Sequence, residues 1–217
     1  MNRRSLLYAM YDAMLEALGP SHWWPGETPF EVAVGAILTQ NTNWSNTARA
    51  IANLRAAGVL TPAALAALPD TRLAELIRPA GYFRLKAGRL KNFLRFLRNE
   101  AGLSMAALNG KSLATLRPKL LEVKGVGPET ADSILLYALH QPTFVVDAYT
   151  RRILSRHGMV PEDAGYDEMR DLYLGALDPD PALYNEYHAL LVRVGKDFCR
   201  PKAPRCAACP LAPFLER

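Results

Sequence analysis

Two helix-forming segments, Leu113 to Val123 and Pro128 to Leu139, are separated by Lys124-Gly125-Val126-Gly127 alone. A linker this short forces the segments into a tight helical hairpin. Val123 and Val126 flank the turn, and Pro128 falls at the first position of the second helix, where its missing N–H is tolerated. Glycine lets the backbone take positive φ and lets a foreign group come close. Such a turn offers unbonded N–H groups and a helix N-terminus, both suited to an anion. The same pattern also serves as plain helix punctuation, so the anion reading depends on its neighbours.

Helical periodicity runs through the rest of the chain, and strand alternation is nearly absent apart from Thr143 to Val146. Ser5 to Leu18 reads as an amphipathic helix stopped by Gly19-Pro20. Thr28-Pro29-Phe30-Glu31 is a capping box with proline at the first helical position, so a helix starts there. Its apolar residues lie nearly all round (Val32, Ala33, Val34, Ala36, Ile37, Leu38), which marks it as buried. Further helices are expected at Ser45 to Ala57, Pro62 to Ala67, Asp70 to Ile77, Phe83 to Glu100, Ala148 to Arg156, Tyr166 to Leu177 and Pro181 to Phe198, with Pro and Gly between them. The fold class is therefore all-α.

At 217 residues and 50% hydrophobic, the chain can bury a substantial core. Its net charge of +5 suits a polyanionic partner without requiring one. The N-terminal stretch interleaves Arg3, Arg4, Asp12 and Glu16 with apolar residues and lacks a secretory pattern. No apolar run reaches spanning length, so no membrane partner and a cytoplasmic, nucleoid-associated location are expected. Cys199, Cys206 and Cys209 are packed at the C-terminus, which does not look like a disulfide framework.

Four segments together resemble the endonuclease III superfamily of DNA glycosylases, the helix-hairpin-helix/Gly-Pro-Asp group. They are Leu38-Thr39-Gln40-Asn41-Thr42, the hairpin, Pro142-Thr143-Phe144-Val145-Val146-Asp147, and the cysteine cluster. Within it the chain looks nearest to the 3-methyladenine branch, through Trp23-Trp24-Pro25, Thr39 to Trp44 and Lys124 to Asp132. The resemblance implies a six-helix lobe over 26–134 and a second lobe formed by 1–25 with 135–217, the active cleft lying between them. It implies a monomer acting on double-stranded damaged DNA, with Lys124, Gly125, Val126, Gly127 and Glu129 against the backbone. Gln40 would fill the gap left by an extruded base.

Asp147 follows an apolar run and precedes a helix. Its plainest role is an N-cap. The resemblance makes it the catalytic carboxylate, which would stabilise positive charge on the sugar and orient or deprotonate a water. Both roles can coexist. Glu129 stands where bifunctional members carry a nucleophilic lysine, and a carboxylate cannot form the Schiff base that drives strand cleavage. Monofunctional hydrolysis is thus expected.

Trp24, Pro25 and Trp44 match positions that line the base pocket in the 3-methyladenine branch, although tryptophan is commonly core. Aromatic faces sandwich a flipped base and attract the positive charge of an N-alkylated purine. The expected substrate is an alkylated, 3-methyladenine-like base. The alternatives are an oxidised-pyrimidine glycosylase with weak lyase action, and a non-catalytic DNA-binding module. The histidines His22, His140, His157 and His188 show no ligand spacing and read as structural, although His22 beside the tryptophans could face the pocket.

Cys199, Cys206 and Cys209 reproduce three of the four positions of the superfamily's iron–sulfur loop, with Leu215 at the fourth. The resemblance implies a [4Fe-4S] cluster on three Cys ligands, with Glu216, the terminal carboxylate or water on the fourth iron. A vestigial loop with free thiols and a zinc site are the alternatives.

Overall fold

The computed structural model describes residues 2–23 and 26–215. Among the described residues there are α-helices, short 3-10 and π turns, and no strand. The helices are α1 (Arg3–Leu18), α2 (Pro29–Leu38), α3 (Trp44–Ala56), α4 (Pro62–Ala67), α5 (Asp70–Leu76), α6 (Phe83–Ala101), α7 (Leu113–Leu121), α8 (Pro128–Ser133), α9 (Ala148–Arg156), α10 (Tyr166–Leu174) and α11 (Pro181–Asp197). Thr143 to Val146 forms no strand; it is a buried segment without regular structure leading into α9. The helix expected over 128–139 changes character part-way, because Ile134–Ala138 widens into a π turn. Among the described residues no helix is long and apolar enough to cross a membrane.

The chain divides into two compact units, Trp24–Gln141, and Met1–Trp23 with Pro142–Arg217. In the first, α2 is the central element. Thr28 caps it by accepting from the Glu31 N–H at 3.1 Å, and Phe30, Val32, Ala33, Val34, Ile37 and Leu38 are all buried. Glu31 does not complete the capping box. Its carboxylate is buried and takes two hydrogen bonds from Arg55 of α3, at 2.8 and 2.9 Å. Helices α3, α6 and α8 and the π turn pack around α2.

Lys86 of α6 is buried against the C-terminal end of α2. Its Nζ donates to Leu38 O at 2.8 Å and Ala80 O at 2.7 Å. Burial, with Arg89 adding to it, brings its pKa down to about 8. The lysine thereby satisfies carbonyls that the end of α2 and the turn before α6 would otherwise leave bare.

In the second unit, α11 packs against α1 and α9. Gly195 is the close-approach point of α9 and α11, since a Cβ there would collide with the Tyr149 ring. Arg152 locks the pair. It lies over the Tyr149 ring at 5.2 Å and donates to Gly195 O at 3.1 Å and Cys199 O at 2.6 Å. The core beneath is aromatic: Phe144 stacks on Tyr173 at 3.8 Å and meets Tyr184 and Tyr187 edge-on at 5.7 and 5.9 Å.

Candidate active site

The hairpin joins α7 to α8, and Val123 and Val126 anchor it in the core. Gly125 has φ of +97°, which L side chains rarely adopt, and a Cβ there would collide with the Arg89 side chain. Four carbonyls around the turn accept hydrogen bonds from within the chain. Val123 O accepts from Val126 N at 2.9 Å, and Gly127 O from Ala131 N at 2.9 Å. Lys124 O accepts from Asn92 Nδ2 at 2.7 Å and Gly125 O from Gln40 Nε2 at 3.0 Å. The N–H groups of Lys124, Gly125 and Gly127 meet no acceptor among the described residues. Lys124, Gly127 and Glu129 are exposed. The turn thus leaves three N–H donors open while several of its carbonyls are engaged, an arrangement suited to an anion.

Gln40 follows α2 and turns its amide into this turn. Besides Gly125 O, its Nε2 donates to Thr130 Oγ1 at 2.8 Å, while its Oε1 accepts from Arg89 Nη1. Gln40, Arg89 and the hairpin therefore form one hydrogen-bonded unit. Arg89 and Asn92, three residues apart on α6, grip the turn from the same side. Behind it, Asp132 is fully buried and takes a bidentate pair of bonds from Arg117 of α7, with contacts of 3.0 and 3.1 Å.

Asp147 is the N-cap of α9: its Oδ1 accepts from the Thr150 N–H at 2.8 Å. Its Oδ2 lies 3.6 Å from Nε2 of His188, a buried residue of α11. Burial alone would push this carboxyl up, but the facing His188 ring and the Thr150 N–H hold it below its ordinary 3.8. The Tyr173 hydroxyl is shifted the other way, by burial and by the Asp147 charge. The result is an anion kept charged in a largely desolvated place, where its field is strong. Sequence reasoning placed Asp147 correctly as a cap but missed His188. The only signal for it was a histidine on the apolar face of α11, beside Tyr184, Tyr187 and Leu191.

Trp44 opens α3, capped by Asn43, and is 38% exposed. Its ring lies over Gly35 of α2, 3.6 Å from where a Cβ would sit. One part of the indole is therefore seated on the helix while the rest is open. The other two predicted pocket residues, Trp24 and Pro25, lie outside the described residues.

The C-terminal loop corrects the expected iron–sulfur cluster. No group of three or more His, Cys, Asp or Glu side chains among the described residues could hold a metal ion. This overturns the [4Fe-4S] assignment to Cys199, Cys206 and Cys209, the zinc alternative, and the iron–sulfur part of the expected fold. The physical reasons are local. The three cysteines are free thiols that border one pocket, but they differ in setting. Cys199 is buried and accepts a hydrogen bond from Arg156 Nη1 at 3.3 Å, so a cation already faces its sulfur. Cys206 is exposed, and burial pushes the Cys209 thiol up, away from the thiolate a metal needs. Arg156 also donates to Arg200 O and Pro201 O, and His157 Nδ1 pairs with Phe214 O, so protein contacts hold the loop. Glu216, the suggested fourth ligand, lies outside the described residues.

Residues 34–177, which hold Gln40, the hairpin and Asp147, match the profile of the HhH-GPD superfamily base excision DNA repair proteins. The chain belongs to that superfamily. A Methanocaldococcus jannaschii protein described as a candidate DNA repair glycosylase is 47% identical over 98% of this chain and 97% of its own length. An endonuclease III of Thermotoga maritima is 30% identical over 83% of this chain and 79% of its own. Among solved structures, an H. pylori 3-methyladenine DNA glycosylase bound to 1,N6-ethenoadenine superposes with a TM-score of 0.75 at 28% identity. It covers 90% of this chain, which in turn covers 98% of it. The chain is thus a DNA glycosylase of base excision repair, with an all-α helix-hairpin-helix fold.

Proposed function

We propose that this HhH-GPD glycosylase is monofunctional and hydrolyses the N-glycosidic bond of alkylated, 3-methyladenine-like purines in double-stranded DNA. The observation that carries the reading is Asp147: a largely desolvated carboxylate whose pKa is lowered by the facing His188 and the Thr150 N–H. As the bond between base and C1′ breaks, its electron pair leaves with the base and positive charge develops on the sugar. A fixed carboxylate stabilises that charge without reorganising, and it can orient the water whose oxygen then bonds to C1′ and take up the proton that this water releases. An alkylated purine already carries positive charge and departs neutral, so no acid is needed to assist it.

Trp44 supports the substrate class, because a partly exposed indole attracts a cationic base. Glu129 supports monofunctionality, because it supplies no amine for a Schiff base. Gln40, Lys124, Gly125, Val126 and Gly127 would hold the duplex backbone and the gap. The likeness to the H. pylori 3-methyladenine enzyme points the same way.

The identity to Thermotoga endonuclease III favours a second reading, an oxidised-pyrimidine glycosylase with weak lyase action. One experiment separates them. Duplexes carrying single alkylated purines or oxidised pyrimidines are incubated with the protein, then scored for free base and, separately, for strand nicking. Release of alkylated purine without nicking is the expected outcome. Release of oxidised pyrimidine with nicking establishes the second reading.

A further inference from the structure

From Ile77 to Asn99 the chain holds seven Lys and Arg residues and no Asp or Glu, against a net charge of +5 for the whole protein. Three of the seven are turned to structural work. Lys86 is buried on backbone carbonyls, Lys91 reaches the Leu65, Ala66 and Leu68 carbonyls, and Arg89 holds Gln40. Arg78, Arg84, Arg95 and Arg98 are exposed and have no ion-pair partner among the described residues. Arg84 and Arg78 rest only against the Phe83 ring, at 5.6 and 6.0 Å.

Arg84, Gly88 and Arg95 follow one another at helical spacings of four and seven, so they share one face of α6. Gly88 is the telling residue. It sits in the middle of a long helix, is exposed, and a Cβ there would meet nothing within 4 Å. Nothing inside this chain asks for glycine at that place, and glycine weakens an exposed helix. Arg95 also donates to Asn92 Oδ1, but neither guanidinium has an ion-pair partner among the described residues, and a bare backbone between them is what close approach by a polyanion needs. The face also adjoins the hairpin, because Asn92 bonds Lys124 O from the neighbouring side of the same helix.

We propose that this face of α6 is a second DNA-backbone site, on which a phosphate strand of the duplex crosses at Gly88 between Arg84 and Arg95. The proposal rests on the chain acting on duplex DNA, and its contacts read no base.

The test measures affinity for an undamaged duplex at several salt concentrations, with thermal stability read on the same samples. Replacing Arg84 and Arg95 together by Ser should flatten the dependence of log affinity on log salt by about 1.8, the value for two lost phosphate contacts. Gly88→Gln adds bulk without changing charge. It should raise the melting temperature yet lower DNA affinity at least about threefold, with the salt slope retained. A general loss of positive charge cannot mimic that opposite pairing. Equal affinity of Gly88→Gln and wild type, or an unchanged slope in the double variant, would overturn the α6 site alone. Wild-type protein that binds no duplex would overturn the underlying DNA reading with it.

Discussion

Nε2 of His188 lies 3.6 Å from Oδ2 of Asp147, joining the N-cap of α9 to the middle of α11. The pairing favours the charged carboxylate. Burial opposes the charge on Asp147, and His188 with the Thr150 N–H overcomes that opposition. The folded carboxyl titrates below 3.8, so the stability it contributes is complete above the unfolded value and disappears as pH falls through the folded one.

His188→Gln should therefore move the acid limb of single-turnover excision upward, towards the ordinary carboxylate range. The groups facing Asp147 are His188, the Thr150 N–H and the Tyr173 ring, and only the first is changed. An acid limb that stays in place would reduce His188 to packing.

Asp147→Asn should keep the fold and DNA binding while base release collapses. Asparagine caps a helix as well as aspartate does, so α9 keeps its first turn. Losing a preorganised charge of this kind raises a barrier by about 2.7–4 kcal/mol. Single-turnover excision and duplex affinity, measured on one preparation, give the two readings. Excision near the wild-type rate would remove Asp147 from the chemistry.

No covalent adduct should form when borohydride is added during turnover, and strands should break at abasic sites only after alkali. Position 129 carries an exposed carboxylate where a lyase would need an amine. A strong trapped band would assign lyase chemistry to another lysine, with Lys124 the first to replace.

Trp44→Ala should slow release of a methylated purine more than it weakens duplex binding, by a stacking contribution of about 1–3 kcal/mol. The indole is 38% exposed, so its removal should cost less stability than that of a core tryptophan. A large fall in melting temperature with normal excision per folded molecule would make it a core residue.

The sequence carries the helices well because their signals are local. Thr28 and Asp147 cap the helices they precede, and apolar residues all round α2 report its burial. What it hides depends on distant partners. The box at Thr28 suggests that Glu31 turns back on its own helix, but Arg55 of α3 takes its carboxylate. The widening at Ile134 leaves no mark in a run of apolar residues. His188 gains its meaning only from lying opposite Asp147, forty-one residues earlier in the chain. The cysteines are the opposite case. Their spacing is legible, but the Arg156 contact on the Cys199 sulfur and the burial of Cys209 are not. Spacing alone therefore suggests a cluster that the folded loop does not support.

The inward-tied carbonyls of the hairpin have a consequence for how DNA arrives. An ordinary loop can share a hydrated metal ion with a phosphate, because it offers oxygens as freely as it offers N–H groups. Here Asn92 and Gln40 each use one lone pair of the Lys124 and Gly125 oxygens, which tilts what the turn offers towards its N–H groups. On the proposed reading, a phosphate docked on those N–H groups releases condensed cations into the solvent, so grip on the duplex weakens as salt rises.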